Sequence, residues 1–246
     1  TEIETAFTAH GWQVEFVLAG RRDLRSRTQQ TVAQAPGAIV VAGGDGTINT
    51  VASTCVEAKR PLGLIPAGTF NYVSRNLGVP TEVAQAVAVI TNGWVRQVDI
   101  GEINGRIFLN NAGIGLYAQM LEHREQDKRR FGRRRLVAFL SGMRSLLSSH
   151  PQYAVELVAD GQIARHLTTT VFFGCNALQL ADFNVTAAEC LRHQKLAVLV
   201  LKLHSRWEVM VAACAALRGR LDEASTTEAF CATSIRVQTR RRTLKV

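Results

Sequence analysis

Residues Ala38–Asn49, AIVVAGGDGTIN, decide how this chain folds. Ala38 to Ala42 reads as a short buried strand, Gly43 to Gly46 as a turn, and Thr47 as the opening of a helix. A β-branched apolar run followed at once by glycines is how a parallel strand ends at the carboxyl edge of its sheet. Glycine lets the backbone turn sharply and lets a ligand approach the bare main chain. The amides of such a turn and of the following helix N-terminus converge on one spot, which suits a phosphate. Asp45 is the odd member, because a carboxylate repels phosphate unless a divalent cation or a reacting hydroxyl lies between them. The plainer alternative is a tight strand-to-helix turn in which Asp45 or Thr47 merely caps the helix.

A second stretch, Leu62–Pro80, repeats the pattern as LGLIPAGTFNYVSRNLGVP. Leu62 to Ile65 is a strand, Gly68 and Thr69 lie in a Pro-x-Gly-Thr turn, and Asn71 sits on the next helix. Two adjacent strands ending in Gly-Thr turns line one crevice at the carboxyl edge, where α/β folds place nucleotides. Outward from these motifs, Glu2–His10 reads as a helix and Gln13–Leu18 alternates as a strand. Asp23 caps a helix to about Ala35, and Ile48–Ala58 is helical. The order strand–helix–strand–helix–strand predicts a doubly wound parallel sheet. A further helix spans Thr81–Thr91.

From Val95 the apolar period changes to two. Strands are expected at Val98–Asn104 and Arg106–Asn111, joined by an Asn104-Gly105 turn of the type I′ kind. A helical stretch with a basic cluster then runs to about Ser149. Tyr153–Ala159 and Gln162–Phe173 form a second hairpin across Asp160-Gly161, Lys195–Leu203 and Ser234–Val246 are strands, and Arg206–Leu217 is an amphipathic helix. The fold class is therefore an α/β N-terminal domain, residues 1–93, followed by a mostly antiparallel β-rich domain of the sandwich kind, residues 94–246.

With 246 residues, 47% hydrophobic and 20% charged, the chain has ample core and is not of disordered composition. The five cysteines are scattered and contain no Cys-x-x-Cys, so they are expected to be free, buried and apolar, in a reducing compartment. The longest apolar stretch, Val209–Leu217, is too short to span a bilayer and no signal peptide is visible, which predicts a cytoplasmic protein. The net charge of +9 concentrates at Lys128–Arg135, Arg21–Arg27 and Arg240–Arg242. Aromatics are only 7% and do not interleave with these runs, so nucleic acid is not the expected partner. An anionic membrane surface, worth about 1 kcal/mol per nearby basic residue, is favoured. No Ser/His/Asp triad or zinc-spaced cluster can be assembled from the six histidines.

GGDGTIN, followed by a PxGTxN segment and RxLGxP, resembles the diacylglycerol kinase catalytic domain family, which includes sphingosine and bacterial lipid kinases. FLNNAGIG at Phe108–Gly115 and the strand ending at Asn176 extend the resemblance loosely along the chain. It implies an ATP- and Mg²⁺-dependent kinase acting on a diacylglycerol-like or sphingoid hydroxyl, peripheral to a membrane, with a homodimer left open. ATP would be held by Gly43, Gly44, Asp45, Gly46, Thr47, Asn49, Gly68 and Thr69. Asp45 would be the catalytic carboxylate and, with the ATP phosphates, the Mg²⁺ ligand. Asn71 and Arg75 would border the lipid acceptor. Alternatives are an NAD-kinase-like phosphotransferase on a soluble substrate, since NAD kinases share the GGDG loop, and a catalytically impaired nucleotide- or lipid-binding protein.

The sequence departs from the family in three places. A first strand with an Asn-Pro turn is expected upstream of Thr1. The family's Asp-Gly-Glu turn, carrying its proposed general base, should follow a strand like Ser234–Val246 and is not reached, so either the sequence is a truncated form or this protein cannot perform that step as its relatives do. A third turn, which binds structural Mg²⁺ in bacterial members, here reads Arg192, His193, Gln194, Lys195, without a carboxylate. Mg²⁺ requires hard oxygen ligands, so this turn is expected to hold no metal and to rely on pairing of Glu189 with Arg192 or Lys195.

Overall fold

The computed structural model describes residues 1–35, 37–115, 118, 152–182, 186–202, 208 and 227–239. The chain divides into two compact units, Thr1–Asn110 and Asn111–Val246. The division falls later than residue 93, the boundary expected from sequence. A hairpin that reads as the start of the β-rich half is tied to the first unit by Asn49. Its side-chain amide donates to the carbonyl of Ile107 at 3.4 Å, and its oxygen accepts the Leu109 amide at 3.0 Å.

The first unit contains α1 (Glu2–Ala9), α2 (Leu24–Gln34), β1 (Ile39–Gly43), α3 (Asp45–Glu57), β2 (Leu62–Pro66), α4 (Tyr72–Asn76) and α5 (Val83–Asn92). It closes with the short hairpin β3 (Gly101–Ile103) and β4 (Arg106–Phe108). Strands β1 and β2 pair in parallel with Ile39 opposite Leu62 and Gly43 opposite Pro66, the connection running through α3. Alternation along the strands divides the core. Ile39, Val41 and Leu64 pack with Val32 of α2 and with Ile48, Val51 and Cys55 of α3. Ile65 and Val40 pack on the other side with Phe7 of α1 and Val87 of α5. Helices thus cover both faces, which is why these strands are apolar throughout. Spacing at 48, 51, 52 and 55 puts the apolar residues of α3 on one stripe.

Gln13–Leu18 is corrected by the structure. Among the described residues no strand pairs with it, and residues 12–20 carry no regular structure. Val14 leans on the α1/α5 cluster, but Leu18 is 85% exposed and Phe16 and Val17 are also exposed. Alternation supplies a face, whereas a strand also requires a ladder partner. Two helix starts also move. α3 begins at Asp45, and α5 is capped by Glu82, whose carboxylate accepts from the Ala84 and Gln85 amides, both at 3.0 Å.

The second unit holds β5 (Asn111–Gly115), β6 (Tyr153–Ala159), β7 (Gln162–Thr168), β8 (Thr170–Gly174), helix α6 (Ala177–Asp182), a 3₁₀ helix (Thr186–His193), β9 (Leu196–Leu201), β10 (Thr227–Ala232) and β11 (Ile235–Thr239). Two antiparallel sheets result, ordered β10-β9-β8-β5 and β11-β6-β7. The run expected as one strand, Gln162–Phe173, changes sheet at Thr169. There the Thr168 hydroxyl and the Thr169 amide both donate to the Leu201 carbonyl, at 2.6 and 3.1 Å. Asn104-Gly105 and Asp160-Gly161 have the positive φ pairs of type I′ turns, 50°/74° and 47°/87°. The basic run at 128–135, the helix expected at 206–217 and Arg240–Arg242 lie outside the described residues.

The cysteines are not all free. Cys190 and Cys231 are joined in a disulfide, while Cys55 is free and buried, its thiol pushed up by that burial. Scattered positions in sequence carried no sign of this pairing, because the sheet register alone brings the 3₁₀ helix beside β10.

Asp160 ties the hairpin tip to the β10–β11 turn. Its carboxylate accepts the Thr233 amide at 3.1 and 3.0 Å and the Ser234 amide at 2.9 Å. These amides hold the Asp160 carboxyl below the usual carboxylate range, Thr233 contributing most. A depressed carboxyl stabilises the fold above its unfolded pKa, and that contribution is lost as pH falls through its folded value. Asp160→Asn should therefore melt lower than the parent chain near neutral pH, with the gap closing in acid. Thermal unfolding of both at the two pH values checks this, and equal melting at neutral pH would refute it.

Candidate functional site

The two glycine turns meet at the carboxyl ends of β1 and β2. The ladder continues one step beyond the strands, the Ala67 amide donating to the Gly43 carbonyl at 3.0 Å. The backbones then touch. A Cβ built on Gly68 would lie 2.5 Å from the Gly44 Cα, and one built on Gly44 would lie 3.1 Å from the Gly68 Cα. Gly44 has an extended φ of −87°, so close approach rather than backbone strain requires glycine there.

Gly44 is also the N-cap of α3, without a side chain to occupy the free amides. The first amides of the helix, at Asp45, Gly46 and Thr47, have no intrahelical acceptor and carry the positive end of the helix dipole. Gly46 differs from its neighbours: it is exposed, and a Cβ built on it would meet nothing within 4 Å. Among the described residues nothing requires glycine at that point of a helix, where alanine would be favoured by about 0.5–1 kcal/mol. The Thr47 and Thr69 hydroxyls have no hydrogen-bond partner among the described residues, and Thr69 is exposed.

Asp45 does two things at once. Oδ1 accepts the Val73 amide at 2.9 Å, pinning the start of α4 to the start of α3. Oδ2 has no partner among the described residues. One oxygen therefore fixes the carboxylate while the other stays available to a cation or a hydroxyl. Neither Asp45 nor Thr47 caps its own helix, since no side-chain cap bond forms there.

The remaining expected site residues separate. Asn71 is buried in a left-handed conformation, φ 52°, with its Oδ1 accepting the Gly68 amide at 2.8 Å and its Nδ2 donating to the Gly68 carbonyl at 3.1 Å. Both ends of that side chain are thus spent on closing the Pro-x-Gly-Thr turn, and the Gly68 amide is no longer available to a ligand. Asn49 is likewise spent on β4 and its flank. Arg75, on α4, is exposed and has no ion-pair partner among the described residues. Phe70, which sequence reasoning passed over, is half exposed and stacks on Tyr72 with centroids 5.6 Å apart, making an apolar ledge beside Thr69. Its signal was an aromatic directly after the Gly-Thr pair. Among the described residues no three His, Cys, Asp or Glu side chains gather to hold a metal, so Asp45 would need other oxygens to complete a cation site.

A parallel α/β unit with helices on both faces thus ends, at its carboxyl edge, in a glycine-lined cradle of backbone amides, an arrangement that suits a phosphate. Residues 1–103 match the diacylglycerol kinase catalytic domain. Over 128 residues it is 38% identical to a diacylglycerol kinase of Bacillus subtilis, an alignment covering 51% of this chain and 42% of that protein. It is 29% identical over 144 residues to a probable lipid kinase YegS-like protein of Pseudomonas aeruginosa, covering 58% of this chain and 45% of the relative. The chain thus matches less than half the length of these curated relatives. In fold it is similar to a crystal structure of a diacylglycerol kinase from Bacillus anthracis, with a TM-score of 0.67 and 23% identity, covering 98% of this chain and 80% of that one.

Proposed function

We propose that this chain carries the nucleotide site of a lipid kinase, transferring the γ-phosphoryl group of ATP to a lipid hydroxyl. The observation that carries the reading is Gly46. A glycine in a first helical turn, in open space and without a steric reason of its own, fits a backbone kept bare for a phosphate. The named relatives, diacylglycerol kinases and a lipid kinase, favour a lipid acceptor over NAD.

In this reading the amides of Asp45, Gly46 and Thr47 hold phosphate oxygens, and the Thr47 and Thr69 hydroxyls donate to them. Mg²⁺ would be held by Asp45 Oδ2 together with phosphate oxygens, and when bound it supplies charge neutralisation for phosphoryl transfer. Asn71 keeps the second turn closed, and Asn49 keeps α3 seated against β4. Arg75, exposed and without an ion-pair partner among the described residues, would attract an anionic phosphate or head group.

A lipid acceptor must be met at a bilayer surface. No helix among the described residues is long and apolar enough to cross one. The net charge of +9, with Arg21 and Arg22 exposed just after the exposed Phe16–Leu18 segment, favours attachment to an anionic surface.

The test is phosphoryl transfer from γ-labelled ATP with Mg²⁺ to diacylglycerol or sphingosine in mixed vesicles, with NAD as the competing acceptor. Labelled lipid is expected on vesicles containing anionic lipid, falling as salt rises, because exposed charges are screened beyond about 10 Å at 0.1 M ionic strength. Label on NAD would overturn the lipid reading, and ATP binding without transfer to any acceptor would make this chain a binding protein.

A further inference from the structure

The turn leading into β9 is held differently from the rest of the second unit. It carries Arg192, His193 and Lys195 around Gln194, whose φ is 57°. The Lys195 amide donates to the Cys190 carbonyl at 3.0 Å, so the turn closes back on Cys190 itself. The Glu189–Arg192 pair expected from sequence is present at 3.9 Å, but both side chains are more than 70% exposed. Such a pair contributes little.

Cys190 is only 1% exposed and packs among Phe172, Leu180, Ala197 and Leu199. Its disulfide partner Cys231, 41 residues away in sequence, lies on β10, the edge strand of the four-stranded sheet, and is exposed. The two Cα atoms are 5.2 Å apart, a separation that a disulfide spans without backbone movement. The bond therefore joins the cationic turn to a strand that, among the described residues, pairs otherwise only with β9. One of its residues is buried and the other lies exposed on the edge strand.

We propose that Cys190 and Cys231 form a reversible thiol–disulfide exchange site, whose oxidised form locks the 3₁₀ turn onto β10. Its reaction partners are a low-molecular-weight disulfide such as glutathione disulfide in one direction and a dithiol in the other. The Cys231 thiolate attacks one sulfur of glutathione disulfide, forming a mixed disulfide and expelling one glutathione thiolate. The Cys190 thiolate then attacks the Cys231 sulfur and expels the second. Two protein thiols are oxidised by two electrons, one glutathione disulfide is reduced to two glutathiones, and the leaving thiolates take up the two protons. Closing so long a loop of chain chiefly restricts the unfolded state.

The full chain, reduced with dithiothreitol and then exposed to glutathione disulfide, is unfolded and alkylated. Peptide mass mapping should find Cys190 and Cys231 in one linked peptide after oxidation and both alkylated after renewed reduction. The oxidised chain should melt roughly 5–10 °C above the reduced one. Cys231→Ser, a change at an exposed position, should melt like the reduced chain whatever the redox state, and Cys190→Ala should likewise lose the redox response. Alkylation of both cysteines after oxidation would overturn the site. Unchanged melting despite the linked peptide would overturn the locking role, and failure of dithiothreitol to reopen the bond would overturn its reversibility.

Discussion

Gly46→Ala is expected to weaken ATP binding by about tenfold or more while leaving the chain folded and slightly more stable. Glycine in a helix costs about 0.5–1 kcal/mol relative to alanine, and the built Cβ meets nothing within 4 Å, so the protein itself gains from the change. A rise in melting temperature of roughly 1–4 °C follows for a chain of this size. The same methyl would stand over the first-turn amides, where a phosphate must approach to within hydrogen-bond distance. A loss of affinity of about tenfold or more, at least about 1.4 kcal/mol, is expected from that obstruction. Calorimetric titration with ATP, beside a melting curve, separates the two effects. Unchanged affinity in a well-folded Gly46→Ala chain would remove the phosphate from this turn. At Gly44 or Gly68 the same substitution would be uninformative, because their backbones touch and the turns themselves would be disrupted.

Asp45→Asn should cost most of the phosphoryl transfer without unfolding the site. The amide oxygen of asparagine can still accept the Val73 amide, so the link between α3 and α4 survives. What disappears is the negative charge on the unpartnered oxygen. Preorganised charge beside a transferring phosphoryl group is worth about 100-fold in rate, close to 2.7 kcal/mol. The initial rate with vesicle-borne acceptor and saturating Mg²⁺ and ATP is the measurement, with ATP affinity followed in parallel. Activity above about a tenth of the parent's would show that Asp45 serves only to anchor α4. Asp45→Ala is the useful companion: losing the Val73 bond as well, it should lower the melting temperature where Asp45→Asn does not.

Much of the first unit was legible in sequence because its signals are local. The runs Ile39–Val41 and Leu62–Ile65 had to be buried strands, and glycines directly behind each had to be turns. Helices between them then had to cover the sheet. Gln13–Leu18 shows the boundary of that logic. Its alternation is as clear as that of β6, yet β6 has β7 and β11 beside it and Gln13–Leu18 has no ladder among the described residues. A strand is a property of a pair, and periodicity reports only one member.

The candidate site divides in the same way. GGDGT and Pro-x-Gly-Thr named the residues, and chain direction placed them at one edge, since both strands are parallel and end together. Their individual duties were not legible. Asn71, an expected acceptor contact, bonds to Gly68, and Asn49, an expected ATP-site residue, bonds to the flank of β4. Both are short amides that bond to whichever backbone group folding brings within about 3 Å. The disulfide belongs with them, because Cys190 and Cys231 meet only through the register of β10 on β9. Sequence alone determined the strand–turn–helix units, their order and their glycines, for these follow from apolar period and backbone freedom over a few residues. Tertiary structure decided which polar groups remain free for a ligand, because that depends on contacts between turns far apart along the chain.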